Sequence, residues 1–249
     1  MQFQSSNPAV TVARKNVGEF NFSGKVHGSA IQDSISKAIA FVTLALIVCV
    51  YIMQDYINDW YFFFSNFREN LILAAIATIA VAIITIFKPH TSPITAPIYA
   101  VLLGYVLGNL SGMFEFIHPS IVNTAILSSF SVELFMLVLW KFKIISPTKK
   151  LKAVIIGAIT GFFSLYIVSI LCFQFRIYLI PQFGFLPLII SLIICPVVAL
   201  CLILDFDSMQ QSVDAGLPKY FEYFKAVSFL LTICGLYVGI FILLAKLKK

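Results

Sequence analysis

Past residue 35 the chain changes character. Apolar residues run almost unbroken through seven stretches, 36–54, 71–88, 95–114, 121–142, 152–173, 187–205 and 224–246, separated by short polar breaks. Each is close to the ~20 residues a helix needs to cross the hydrocarbon core of a bilayer. The pattern predicts seven transmembrane helices and an all-α, polytopic membrane protein. The runs are apolar on every side, so periodicity does not say which face of a helix is buried. Residues 1–35 are polar and basic and hold no early apolar segment. They predict a flexible cytosolic arm rather than a cleaved signal peptide, with 36–249 as the transmembrane domain.

Composition narrows the class further. The chain is 60% hydrophobic and 11% charged, too little polar surface for a soluble fold of this length. Its net charge of +6 then points to anionic lipid and an orientation bias. No basic stripe is interleaved with exposed aromatics, so nucleic acid is not an expected partner. Of 17 basic residues, 12 fall on one side if the N-terminus is cytoplasmic: Arg14, Lys15, Lys25, Lys37, Lys88, Lys141, Lys143, Lys149, Lys150, Lys152, Lys219 and Lys225. The expected location is the cell inner membrane, N-terminus inside and C-terminus outside, with the aromatic stretch 59–67 as an outer interfacial belt. The five cysteines all lie in apolar runs and read as small buried hydrophobes.

Small residues mark where helices approach each other. Gly104, Gly108 and Gly112 follow at four-residue steps on helix 3, Gly157 and Gly161 on helix 5, and Gly235 and Gly239 on helix 7. In lipid, close backbone approach is what permits packing, so each set is expected at a helix–helix contact. Pro196 should kink helix 6.

Ionisable groups in such a chain are candidates for function. Asp205 and Asp207 close the apolar run of helix 6 in "CLILDFDSMQQ". Two residues are about 200° around a helix, so their side chains leave from opposite faces. Asp205, the deeper, is expected to face the bundle, and Asp207 water or headgroups. Burial favours the neutral form of a carboxyl, so Asp205 is expected to exchange protons near physiological pH. Glu133 lies mid-span on helix 4, with Ser129 one turn before it as a possible donor. Glu115 closes helix 3 on the outer side. These four are the candidate ion- or proton-sensing residues. No metal-ligand cluster, phosphate loop or nucleophile elbow is present, and no His lies deep in a span, so neither cofactor nor enzymatic activity is expected.

The C-terminal third, "LDFDSMQQSVDAGLPKYFEYFKAVSFLLTICGLYVGIFILLAKL" (204–247), resembles the end of the Bax inhibitor-1 family in its bacterial YccA-like branch. The branch closes helix 6 with LDFD, follows it with a G-x-P-K-Y-x-E-[WY] loop ("GLPKYFEY" here) and ends its last helix in L-L-x-K-L. "SSNPAV" (5–10), "PIYAVLLGYVLGNLSGMFE" (97–115) and "KIISPTKKLKAVIIGAITG" (143–161) are similar to its earlier segments. The resemblance implies a seven-helix bundle with helix 7 central and the other six around it. It also implies a pH-sensitive calcium leak, closed by one carboxylate at the end of helix 6 and one on helix 7. Asp205 matches the first. Gly239 stands at the second and Leu103 at a further acidic position on helix 3, while Glu133 replaces an apolar residue. A two-carboxylate latch therefore does not carry over: Asp205 pairs with Glu133 or with a basic residue, or the gate is absent.

Two functions remain open from sequence. One is a passive cation leak, binding calcium weakly because few carboxylates face the interior. The other is an interaction protein that modulates a membrane-anchored quality-control protease through its N-terminal arm.

Overall fold

The structure is a computed structural model. It describes residues 29–58, 60–117, 121–145, 147–174 and 185–247. Seven long helices account for nearly all of them: α1 (Ser29–Asn58), α2 (Trp60–Phe87), α3 (Ser92–Ile117), α4 (Ile121–Lys141), α5 (Lys149–Gln174), α6 (Phe185–Asp214) and α7 (Tyr220–Leu247). No strand occurs among the described residues. In five helices the described residues contain a segment long and apolar enough to cross a membrane: Ile31–Gln54, Pro89–Glu115, Ile121–Lys141, Leu188–Asp214 and Tyr220–Leu247. Leu71–Phe87 of α2 is apolar too but shorter. Large hydrophobics such as Leu73, Ile79 and Leu134 point outward. In water that surface would be costly; in a bilayer it faces acyl chains, and the helices satisfy their own backbone groups.

Three expectations are corrected here. The first concerns helix ends. α1 begins at Ser29, ahead of position 36, and Ser34 is already buried in the bundle; the rest of the arm lies outside the described residues. Likewise α6 does not end at Asp205 but continues to Asp214. Beyond the apolar run its polar residues support the helix themselves. Ser208 Oγ donates to the Asp205 carbonyl (2.9 Å), Gln211 Nε2 to Asp207 (2.6 Å) and Gln210 Nε2 to Asp214 (2.7 Å). The helix closes in a Schellman motif, with Leu217 N–H on Ser212 O, Gly216 N–H on Val213 O, and Gly216 left-handed at φ 62°. α6 also stays helical across Pro196.

The second concerns the centre. α7 does pack against α1, α2, α3, α4 and α6, but α5 packs on α6 and makes no extensive contact with α7. Among the described residues α7 is thus central, with five helices directly against it and α5 lying outside them on α6.

The third concerns the glycines. A Cβ on Gly104 would sit 2.4 Å from the Ala45 carbonyl oxygen, and one on Gly108 2.7 Å from that of Cys49. These two let α3 lie directly on the backbone of α1, the most extensive pairing in the bundle. Gly112, on the same face, is buried too. By contrast, a Cβ on Gly157, Gly161 or Gly239 would meet nothing within 4 Å, and one on Gly235 only Val198 Cγ1 at 3.7 Å. The glycines of α5 and α7 are not close-approach positions: Gly235 faces α6 with room for a Cβ, and nothing among the described residues stands opposite the other three.

Polar links tie α7 to its neighbours along its length. Lys37 of α1 pairs with Glu222 and lies over the Tyr223 ring, 4.8 Å from its centroid. Ser92 Oγ donates to the Tyr220 carbonyl (2.5 Å). Deeper in, the hydroxyls of Ser111 and Tyr237 meet at 2.6 Å, both buried. Near the far end Lys246 donates to Ser191 Oγ at 2.7 Å.

Candidate functional site

The end of the bundle where α6 leads into α7 holds the candidate site. On α7, Lys225, Ser228 and Thr232 recur at helical spacing, so they share one face. That face meets Asp205 of α6. Ser228 Oγ donates to Asp205 Oδ1 at 3.3 Å. Thr232, whose hydroxyl donates to the Ser228 carbonyl (3.3 Å), lies beside the carboxylate, and Lys225 is close enough to interact with it without forming a direct ion pair. Lys225 is 6% exposed, and Asp205 is the acidic group that acts on it. Cys201, one turn back on α6, is the other titratable group beside the carboxylate. Asp205 Oδ2 is buried and accepts no hydrogen bond among the described residues.

Beside this carboxylate the wall is aromatic. Phe206 is fully buried, its ring centroid 5.1 Å from Phe229 of α7 and 5.6 Å from Trp140 of α4. One residue along from Asp205, it anchors α6 to both helices and fixes the direction in which the carboxylate leaves.

Asp207 points elsewhere. Its Oδ2 pairs with Lys152 of α5 at 2.5 Å and accepts from Gln211, in a half-exposed position. It fastens the peripheral α5 to α6. The opposite-face arrangement expected from the two-residue spacing places one carboxylate against α7 and the other toward α5.

Glu133 and Asp205 share no hydrogen bond. Glu133 is 6% exposed, and its Oε2 also lacks a partner among the described residues. Glu133 and Trp140 are seven residues apart and share a face of α4. At 1.5 Å per residue Glu133 lies about 10 Å further along the helix than the Trp140–Phe206 contact. The donor expected one turn before it is engaged otherwise: Ser129 Oγ donates to the Ala125 carbonyl at 2.6 Å. Glu115 lies elsewhere again. Its Oε2 accepts the Val122 backbone N–H (3.3 Å), linking the end of α3 to the start of α4. The four candidate residues therefore do not form one cluster.

Between α1, α3, α4 and α7 lies a small, partly open apolar cavity of about 40 Å³. Cys49, Leu103, Ile126, Ser129, Cys234 and Tyr237 are among its lining, and no carboxylate is. Leu103 thus faces the cavity as a hydrocarbon where the resembling branch has an acid.

Lys225 is the site residue that sequence reasoning left among the loop charges. Its signal was present: a lysine inside "YFEYFKAVSFLL", on one helical face with Ser228 and Thr232.

An all-helical, polytopic membrane bundle with an incompletely satisfied carboxylate near one end is the class that fold and site define. A family model described as Bax inhibitor 1 like matches residues 7–249, and the chain belongs to that family. No curated protein and no solved structure matches it significantly.

Proposed function

We propose that this protein is a non-enzymatic, passive cation leak, calcium foremost, whose mouth is governed by Asp205 and Lys225. The observation that carries the reading is the buried Asp205 Oδ2, which has no hydrogen-bond partner among the described residues, on the face of α6 that meets Ser228 and the buried Lys225 of α7. A carboxylate with an unused oxygen is what a dehydrating cation can exploit. Lys225 stands in for the second carboxylate of the family latch as the partner that sets the state of the first. While Asp205 is ionised, the pair is close to neutral and a cation can approach. Once Asp205 takes up a proton, Lys225 is unopposed and repels cations. The leak therefore falls as pH falls through the titration of Asp205. The Asp205 end carries Lys37, Lys88, Lys141, Lys143, Lys149, Lys150, Lys152, Lys219 and Lys225, so it is assigned to the cytoplasmic side, with the N-terminus inside and the C-terminus outside.

Calcium-loaded liposomes reconstituted with wild type or Asp205→Asn test this. Wild-type efflux should decrease on acidification, while Asp205→Asn should stay low at every pH. Equal and pH-independent efflux from both would overturn the reading. A scaffold for a membrane-anchored protease is the outcome then left, with its contact in the N-terminal arm; deleting that arm should abolish co-purification of the protease and leave the bundle folded.

A further inference from the structure

The turn between α4 and α5 breaks several local rules at once. α4 ends in a Schellman motif, with Ile144 N–H on Leu139 O and Lys143 N–H on Trp140 O, both at 3.0 Å. The left-handed position of that motif belongs to glycine, as at Gly216, because a Cβ is strained there. Here it is Lys143, at φ 53°, the one non-glycine with positive φ among the described residues. The motif commonly seats its following apolar residue on the helix. Ile144 instead is 67% exposed, and Phe142 is 69% exposed.

The start of α5 is unusual in the same sense. Thr148 caps it, its Oγ1 accepting the Leu151 N–H at 3.2 Å. The first two helical positions are then Lys149 and Lys150, at the positive end of the helix dipole, and the first turn holds no acid. That end favours anions and disfavours cations.

Lys141, Lys143, Lys149 and Lys150 are all exposed, and none is ion-paired among the described residues. Between Glu133 and Asp205 the sequence contains no acidic residue at all. Strained and mispolarised cations interleaved with outward-facing hydrophobics are hard to explain by folding alone. Together they match one environment, the boundary of a leaflet rich in anionic headgroups.

We propose that this turn is an anionic-phospholipid site, in which Lys141, Lys143, Lys149 and Lys150 hold headgroup phosphates while Phe142 and Ile144 insert among the acyl chains. The proposal rests on membrane insertion alone and not on the leak. The occupant is lipid, because the apolar pair alternates with the lysines along the turn. A soluble anion would leave Phe142 and Ile144 without a role.

The test uses the full-length protein in neutral detergent, titrated with phosphatidylglycerol, with phosphatidylcholine, or with inorganic phosphate. Thermal stability and lipid retention in native mass spectrometry are read together. Phosphatidylglycerol should raise the melting temperature and remain bound, while the other two should not. Replacing all four lysines by Gln should weaken phosphatidylglycerol binding at least about tenfold. Phe142→Ser with Ile144→Ser should weaken it with every charge intact. Lys143→Gly should raise stability in lipid-free detergent while lowering lipid affinity, a split that a purely structural turn would not show. The proposal is overturned if the quadruple variant binds like wild type, if both lipids act alike, if inorganic phosphate reproduces the full shift, or if an acidic protein partner binds there and phosphatidylglycerol does not.

Discussion

Gly104→Ala should loosen the bundle at its tightest seam, whereas the same change at Gly161 should not. A Cβ at Gly104 would lie 2.4 Å from the Ala45 carbonyl oxygen, 3.0 Å from Val48 Cβ and 3.1 Å from the Ala45 carbonyl carbon. Carbon and carbonyl oxygen rest at roughly 3.3 Å, so the overlap is about 0.9 Å. Two of the three obstructing atoms are backbone, which no rotamer change can move. α1 must therefore shift away from α3, which also opens the contact at Gly108 one turn on. Overpacking of this kind costs about 1–3 kcal/mol. At Gly161 an added Cβ meets nothing within 4 Å, so only helix propensity acts, favouring Ala by up to about 1 kcal/mol. Unfolding in mixed micelles, followed by circular dichroism, gives both values. A Gly104→Ala protein as stable as wild type, or equal losses at both sites, would refute the reasoning.

Three other outcomes follow from the same geometry. Tyr237→Phe removes the hydroxyl that meets buried Ser111 and should cost about 0.6 kcal/mol, with about 1.7 as the ceiling for such bonds in membrane bundles; micelle unfolding reads it. Lys152→Gln should change stability by no more than about 1 kcal/mol, because its pair with Asp207 is partly exposed, the two side chains retaining 34% and 21% of their surface. Lys143→Gly should add roughly 1 kcal/mol in lipid-free detergent by relieving the left-handed backbone.

Much of the architecture was legible because a bilayer imposes one demand, a run of apolar residues, on each crossing. The same demand hid where helices end. Hydropathy reports the thickness of the hydrocarbon, and α6 outlasts it because Ser208, Gln210 and Gln211 bond to groups within their own helix. Glycine spacing was informative in one direction only. It places Gly104 and Gly108, or Gly157 and Gly161, on one face, but what stands opposite is decided by how the chain folds back. α1 stands opposite the first pair and nothing opposite the second. The two-residue spacing of Asp205 and Asp207 fixed their divergence, since the angle is set by helix geometry alone. What they meet, Ser228 beside Lys225 on α7 and Lys152 on α5, depended on how α7 and α5 pack against α6, which no local pattern encodes. Glu133 stood out by depth, but its buried, unpartnered oxygen became visible only with α4 in place.

The most direct test of the central claim is a double-mutant cycle on calcium efflux from liposomes at fixed pH near neutrality, using wild type, Asp205→Asn, Lys225→Gln and the double variant. If the carboxylate serves to offset the α7 ammonium at the mouth, Asp205→Asn lowers efflux, Lys225→Gln raises it, and the double variant returns most of the way to wild type. An Asp205→Asn loss that persists in full without Lys225 would contradict the account.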